Sequence, residues 1–237
     1  MAMAVAIDSL VLVEPPSAPL APSKCGFSPL ECANAWRDLV AGHLTIIGSS
    51  MARECAALSL TPIEGQRPSV RPRDAQILER VLLGESPKAL ALDLDLSQST
   101  ITTCAKRSLA MLGVRTQPSR VPLGLVALVH RAKGRGSADF ECRCEQRDRN
   151  LVLSFPLICL AKCLPPAVLD VVFLHAQGNS HAAIAVQRRT SERTVANQLA
   201  LAFQRLRVSG RAQLLGCLLD VGLPRSVLGV PEEQSVQ

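Results

Sequence analysis

The sequence predicts a mainly α chain with small β-hairpins, organised as two tandem repeats, each a hairpin followed by four helices. Three observations lead there. Of 237 residues, 48% are apolar, yet aromatics make up only 3% and tyrosine is absent. The core must then be Leu, Val, Ile and Ala, which suits helices packed closely together. Two β-leaning runs, 44-LTIIGSS-50 and 56-AALSLTP-62, have counterparts in 138-ADFECRC-144 and 150-NLVLSFP-156. Finally, one offset organises the chain. Adding 94 takes Gly84 to Gly178, Ser86 to Ser180, Ala91 to Ala185, Ser97 to Ser191, Thr100 to Thr194 and Leu112 to Leu206. It also takes Gly42 to Gly136 and Pro62 to Pro156. So many matches without a gap mark an internal repeat.

In chain order, residues 1–28 combine an apolar start with 14-EPPSAPLAPS-23, a Pro-rich linker that sustains neither a helix nor a ladder and is expected to be flexible. Residues 29–62 hold a helix and the first hairpin. Ser28 and Glu31 form a capping box, Pro29 takes the first helical position, and Gly42 ends the helix. The first four-helix unit occupies 63–134, the second hairpin 135–162, the second four-helix unit 163–222 and a tail 223–237.

Helix punctuation is plainest in the second unit. Pro165 and Pro166 open a helix with apolar positions Leu169, Val172, Phe173 and Ala176, closed by Gly178. Ser180 caps a short helix holding Ile184 and Ala185; Ser191 caps a third that runs to about Leu206; a fourth starts near Arg211. The first unit repeats this with Gly84, Ser86-Pro87, Ser97 and Gly113. About three extra residues near 116-TQPSR-120 delay its last helix, 122-PLGLVALV-129.

Two short helices joined by a turn of three or four residues form a helix-turn-helix. If the helix after the turn enters a major groove, its first residues meet the base edges and must be polar. The runs 97-SQSTITTCAK-106 and 191-SERTVANQLA-200 both satisfy this. Asn197 or Gln198 can pair bidentately with adenine, and Arg188, Arg189 and Arg193 can neutralise phosphates. Ser97 and Ser191 cap their helices whatever the function, worth about 1 kcal/mol each. The stripe Val195, Leu199, Phe203 and Leu206 reads as core.

These residues resemble the LuxR-type (NarL/FixJ-like) helix-turn-helix of bacterial transcription regulators. In the second unit the likeness rests on 178-GNSHAAIA-185, 191-SERTV-195 and 206-LRVSGRAQL-214. In the first it rests on 73-RD-74, 77-IL-78, 84-GESPKALA-91, 97-SQSTI-101 and 112-LGV-114, covering together about half the chain. The resemblance implies sequence-selective binding of double-stranded DNA with the third helix of a unit in the major groove. It implies that Thr194 bonds a phosphate and that Val195 packs near a thymine methyl or sugar. Thr100 and Ile101 are their counterparts, with Thr103 beside them.

This sequence departs from the family's pattern at several positions. The Lys that follows Thr-Val is Ala196 in one copy and Thr102 in the other; the usual His is Gln198 and Cys104. Ala167-Val168 stands where Arg-Glu is expected, and Arg207 replaces a turn glycine. Asp93 and Asp95 precede the third helix of the first unit, where like charge opposes a phosphate. The second unit is therefore expected to be the main reader, and the first to bind weakly or to dock a partner. With two copies in one chain, the expected arrangement is an intramolecular pseudo-dimer, joined through the last helices or the hairpins. A homodimer is the other expected state.

Other classes fare worse. The net charge of +6 is compatible with a polyanionic partner without requiring one. The scarcity of aromatics argues against single-strand or RNA binding by base stacking. No window approaches a membrane span, and the N-terminus makes a poor secretory signal, so no membrane partner and a cytoplasmic location are expected. Cys142, Cys144, Cys159 and Cys163 could place four thiolates together, but the paired C-x2-C spacing of zinc sites is missing, so no metal is expected. No Ser/His/Asp or Cys/His set, P-loop or Gly-rich nucleotide fingerprint occurs; neither enzyme activity nor a cofactor is expected. His175 and His181 read as helix-surface residues. The competing reading is a degenerate helix-turn-helix that binds RNA polymerase or another regulator with little affinity for DNA.

Overall fold

The computed structural model of the protein describes residues 26–27, 29–65, 67–116, 120–135 and 142–219. The Pro-rich opening, the Ser28 cap, Gly136, residues 138–141 of the second hairpin and the expected tail lie outside these described residues. The elements are β1 (Gly26–Phe27), α1 (Pro29–Ala41), β2 (Leu44–Met51), β3 (Cys55–Pro62), α2 (Pro72–Leu82), α3 (Pro87–Asp93), α4 (Gln98–Met111) and α5 (Leu123–Ala132). There follow β4 (Cys142–Arg147), β5 (Asn150–Pro156), a 3-10 turn (Leu160–Lys162), α6 (Pro166–Ala176), α7 (His181–Arg188), α8 (Glu192–Leu206) and α9 (Arg211–Leu218). The described chain is mainly helical, with one antiparallel sheet.

That sheet is where the structure goes beyond two small hairpins. Its order is β1-β4-β5-β3-β2, so the hairpins join edge to edge through β3 and β5. The joining ladder is antiparallel and runs from Cys55 opposite Pro156 to Leu60 opposite Leu151, with Leu58 opposite Leu153 at its middle. Alternation decides which face is buried: Ala56, Leu58 and Leu60 of β3 point to the core, as do Leu153 and Phe155 of β5. Burying each Leu or Phe contributes about 2 kcal/mol.

Two helices cover this face. α1 buries Cys32, Ala35, Trp36 and Leu39, one stripe at helical spacing. α5 is buried along Leu123–His130, as befits a helix apolar on every side. It packs on α1, α2 and the sheet. Gly124 lets it come so close that a side chain there would begin 2.9 Å from the carbonyl oxygen of Ala57. α4 is anchored differently. Ile46 donates its backbone N–H to the carbonyl of Leu112 at 2.8 Å. Gly113 follows at φ 94°, where an added Cβ would lie 2.5 Å from the Ile46 carbonyl.

The 94-residue offset carries Pro72–Leu82 onto Pro166–Ala176, and it carries the first residues of α3 and α4 onto those of α7 and α8. It fails at the end of the unit: from Leu123 it gives position 217, whereas α9 begins at Arg211. The delay in the first unit is thus six residues, not about three, because a longer link separates α4 from α5. The same offset takes Pro29, the start of α1, to Leu123, the start of α5. α5 therefore follows α4 in the chain and also stands ahead of β4 and β5 as α1 stands ahead of β2 and β3.

The units also touch away from the sheet. Arg211 of α9 donates through Nη2 to the carbonyls of Ala176, at 2.7 Å, and of Val121, at 3.0 Å. Its guanidinium thereby ties the end of α6 to the entrance of α5. Ala212 lies against the Gly84 turn, and Arg120 against the Gly178 turn.

Candidate nucleic-acid interface

In the second unit α7 ends at Arg189, which takes the left-handed conformation at φ 52°. Thr190 returns a backbone N–H to Ala185 at 2.9 Å. Ser191 then caps α8: its Oγ accepts the Thr194 N–H at 3.1 Å and lies 2.9 Å from the Thr194 hydroxyl. Behind the helix Val195, Leu199, Ala202 and Leu206 are buried, with Ile184 and Ala185 of α7 beneath. In front, Arg193, Thr194 and Asn197 are exposed, as are Ala196 and Ala200. Neither Arg189 nor Arg193 makes an ion pair among the described residues. The result is a capped helix end with a polar tip and two uncommitted cations beside the start of its dipole.

Three expectations need correction. Val195 and Ile101 are completely buried and cannot touch a base or sugar. Their side chains point into the helix-turn-helix core, where the 3.6-residue period of the stripe places them. Gln198 is half-buried, and its Oε1 lies inside without a hydrogen-bond partner, so it does not stand free on the tip with Asn197. Arg188 is not a loose phosphate binder either. Its Nη1 donates to Oδ2 of Asp170 at 2.9 Å, and its side chain is only 23% exposed.

The first unit builds the same frame with different charges. Ser97 caps α4, accepting the Thr100 N–H at 3.0 Å with the Thr100 hydroxyl 2.8 Å away. Thr100 and Thr103 are exposed. Here Arg80 and Arg107 are engaged in ion pairs. Arg80 bonds Glu85 at 2.6 Å and Asp93 at 2.5 Å, which holds its guanidinium firmly protonated. Arg107 of α4 reaches down to the buried Asp74 at 2.6 Å, and Arg71 joins it at 2.9 Å. Burial alone would push the Asp74 carboxyl up, but the bonds from Arg107 and Arg71 outweigh it and hold it below the usual carboxylate range. Asp95 remains exposed in the turn, left-handed at φ 51°.

His175 sits half-buried, not at the surface, its ring 5.9 Å from that of His181 and 6.0 Å from that of Phe203. Burial first, then the positive charge of Arg211, lowers its pKa to about 4. Among the described residues no three His, Cys, Asp or Glu side chains converge as metal ligands: Cys142 is buried while Cys159 is exposed. Among the same residues no helix is long and apolar enough to cross a membrane.

Sequence reading missed Arg53 and Asp170. Arg53, at the tip of the first hairpin, donates through Nη2 to Oδ1 of Asp170 in α6 at 2.5 Å. A partner 117 residues away leaves no trace in local spacing. No family model, curated protein or solved structure matches this chain.

Proposed function

We propose that the chain is a DNA-binding transcription regulator with two LuxR-type helix-turn-helix units arranged as an intramolecular pseudo-dimer. The observation that carries this reading is the tip of α8: Arg193, Thr194 and Asn197 exposed over a fully apolar back, next to Arg189. Arg189 and Arg193 supply phosphate neutralisation, the Thr194 hydroxyl a phosphate hydrogen bond, and Asn197 a bidentate donor and acceptor for adenine. The second unit is the main reader. From 166 to 219 it carries six arginines against two acids, whereas 72–132 of the first carries eight cations against five acids, with Asp93 and Asp95 immediately ahead of α4. The pairing of β3 with β5 fixes the two units relative to each other, which suits two unlike half-sites.

The test is a gel shift with random duplexes at two salt concentrations, comparing the wild type with the double variant Arg193→Ala/Thr194→Ala. Binding should weaken with salt by a log–log slope of about −0.9 for each phosphate neutralised, and the variant should lose most of its affinity. Equal binding by the variant removes the assignment of α8. A second reading, a protein-interaction module for RNA polymerase or another regulator, draws on Leu92 and Val186. These equivalent positions on α3 and α7 are 78% and 80% exposed. Capture of polymerase with no duplex affinity selects it.

A further inference from the structure

Beside the turn that leads to α8 lies an open cleft of about 400 Å³. Its walls come from both units: Arg53 at the tip of the first hairpin on one side, Asp170, Gln187 and Arg188 of the second unit on the other. Asp170 holds both guanidinium groups, Oδ1 toward Arg53 and Oδ2 toward Arg188. Each arginine spends a single N–H on this carboxylate and keeps others for a further acceptor, since a guanidinium carries five in a flat fork. Two cations around one anion leave the cleft with one positive charge in excess. Arg53 is 68% exposed along its side chain, so its free edge faces solvent.

Resting on the DNA-binding reading above, we propose that this cleft is a second phosphate-binding site, in which Arg53 of the first unit's hairpin grips the backbone of the duplex read by α8. Arg188 is three residues from the α8 cap Ser191, about 10 Å of chain at most. Arg188 therefore lies within about one Debye length of the α8 cap at ordinary salt, and Asp170 brings Arg53 to its side, so the cleft adjoins the cationic tip of Arg189 and Arg193. The residues that face Arg53 across the cleft are particular to the second unit. Positions equivalent to Asp170, Gln187 and Arg188 in the first are Gln76, Asp93 and Leu94, so an acid and an apolar residue replace Gln187 and the arginine, and Arg147, the counterpart of Arg53, is paired with Glu145.

The experiment measures duplex affinity and its salt slope for the full chain, using a pool of random duplexes, for wild type, Arg53→Ala, Arg53→Lys, Asp170→Asn and Arg193→Ala. Arg53→Ala should bind about tenfold more weakly, with a slope shallower by about 0.9, while Arg53→Lys keeps the wild-type slope because a point charge still neutralises one phosphate. Asp170→Asn should bind a few-fold more tightly, because removing the carboxylate frees both guanidinium groups. If Arg53→Ala and Asp170→Asn weaken binding alike, the pair is merely a strut and the proposal falls. It also falls if Arg53→Ala matches a wild type whose binding is salt-dependent and sensitive to Arg193→Ala, a result that leaves the DNA-binding reading intact. A wild type without duplex affinity overturns both.

Discussion

The turn ahead of α4 and the turn ahead of α8 share a backbone and a cap but not a charge. Asp95 occupies the first at φ 51° and Arg189 the second at φ 52°, one offset of 94 apart. Ser97 and Ser191 accept the same N–H three residues on, at 3.0 and 3.1 Å. Ile101 and Val195 lie equally buried beneath. Between the two units, then, the residues that make the frame agree and the charged residues beside the turn diverge. In the first, Arg80 and Arg107 are drawn onto Glu85, Asp93 and Asp74; in the second, Arg189 and Arg193 stay uncommitted. One frame can hold either a compact network of internal ion pairs or an open cationic tip.

The strongest way to break this comparison is to attack the shared frame. Val195→Asp and Ile101→Asp each force a carboxylate into a dry core, and each should cost more than about 4 kcal/mol, read as a loss of the urea midpoint. Two unequal results would mean that the frames are not alike.

Acid probes the burial of one histidine in each unit. His130 in α5 is 8% exposed, and burial first, then Arg135, lowers its pKa to about 4. Unfolded, it protonates near 6.5. Between these values the unfolded chain holds more protons, so stability is complete above about pH 6.5 and falls as pH drops toward 4. The loss from His130 should be on the order of 3 kcal/mol at pH 4. His175, lowered to about 4, adds to it in the same window. Urea melts across this range test the sign, and His130→Leu should flatten the curve.

The charges come next. Arg189→Asp should weaken duplex binding about tenfold, and Asp95→Arg should strengthen it by less, since the first unit's other acids remain. Fluorescence anisotropy of a labelled duplex measures both; an equal and opposite pair would make the units equivalent readers. Smallest of all, Ser97→Ala and Ser191→Ala should each cost about 1 kcal/mol of stability.

Much of the frame is legible in the chain because its signals are local. Ser86, Ser97, Ser180 and Ser191 each cap a helix within three residues, and Gly84 and Gly178 stop helices at φ 92°. Side-chain direction at the site was legible only in part. The stripe from Val195 to Leu206 already marks Val195 as core, yet the family resemblance assigns it to DNA; burial favours the stripe. Gln198 misled because a polar residue near a polar tip reads as exposed, whereas it stands one position before Leu199 on the turn facing inward. What local spacing cannot encode is pairing at a distance: β3 with β5, or Arg53 with Asp170 across 117 residues.

The ladder between β3 and β5 has one more consequence. Under the 94-residue offset the pair Leu58–Leu153 maps onto Ser59–Val152, and Ala57–Ser154 onto Leu60–Leu151, so each half of the seam is the image of the other. Such an edge is self-complementary. A chain truncated after α5 would present it bare, and its natural cover is a second identical fragment, giving by association what the full chain holds covalently.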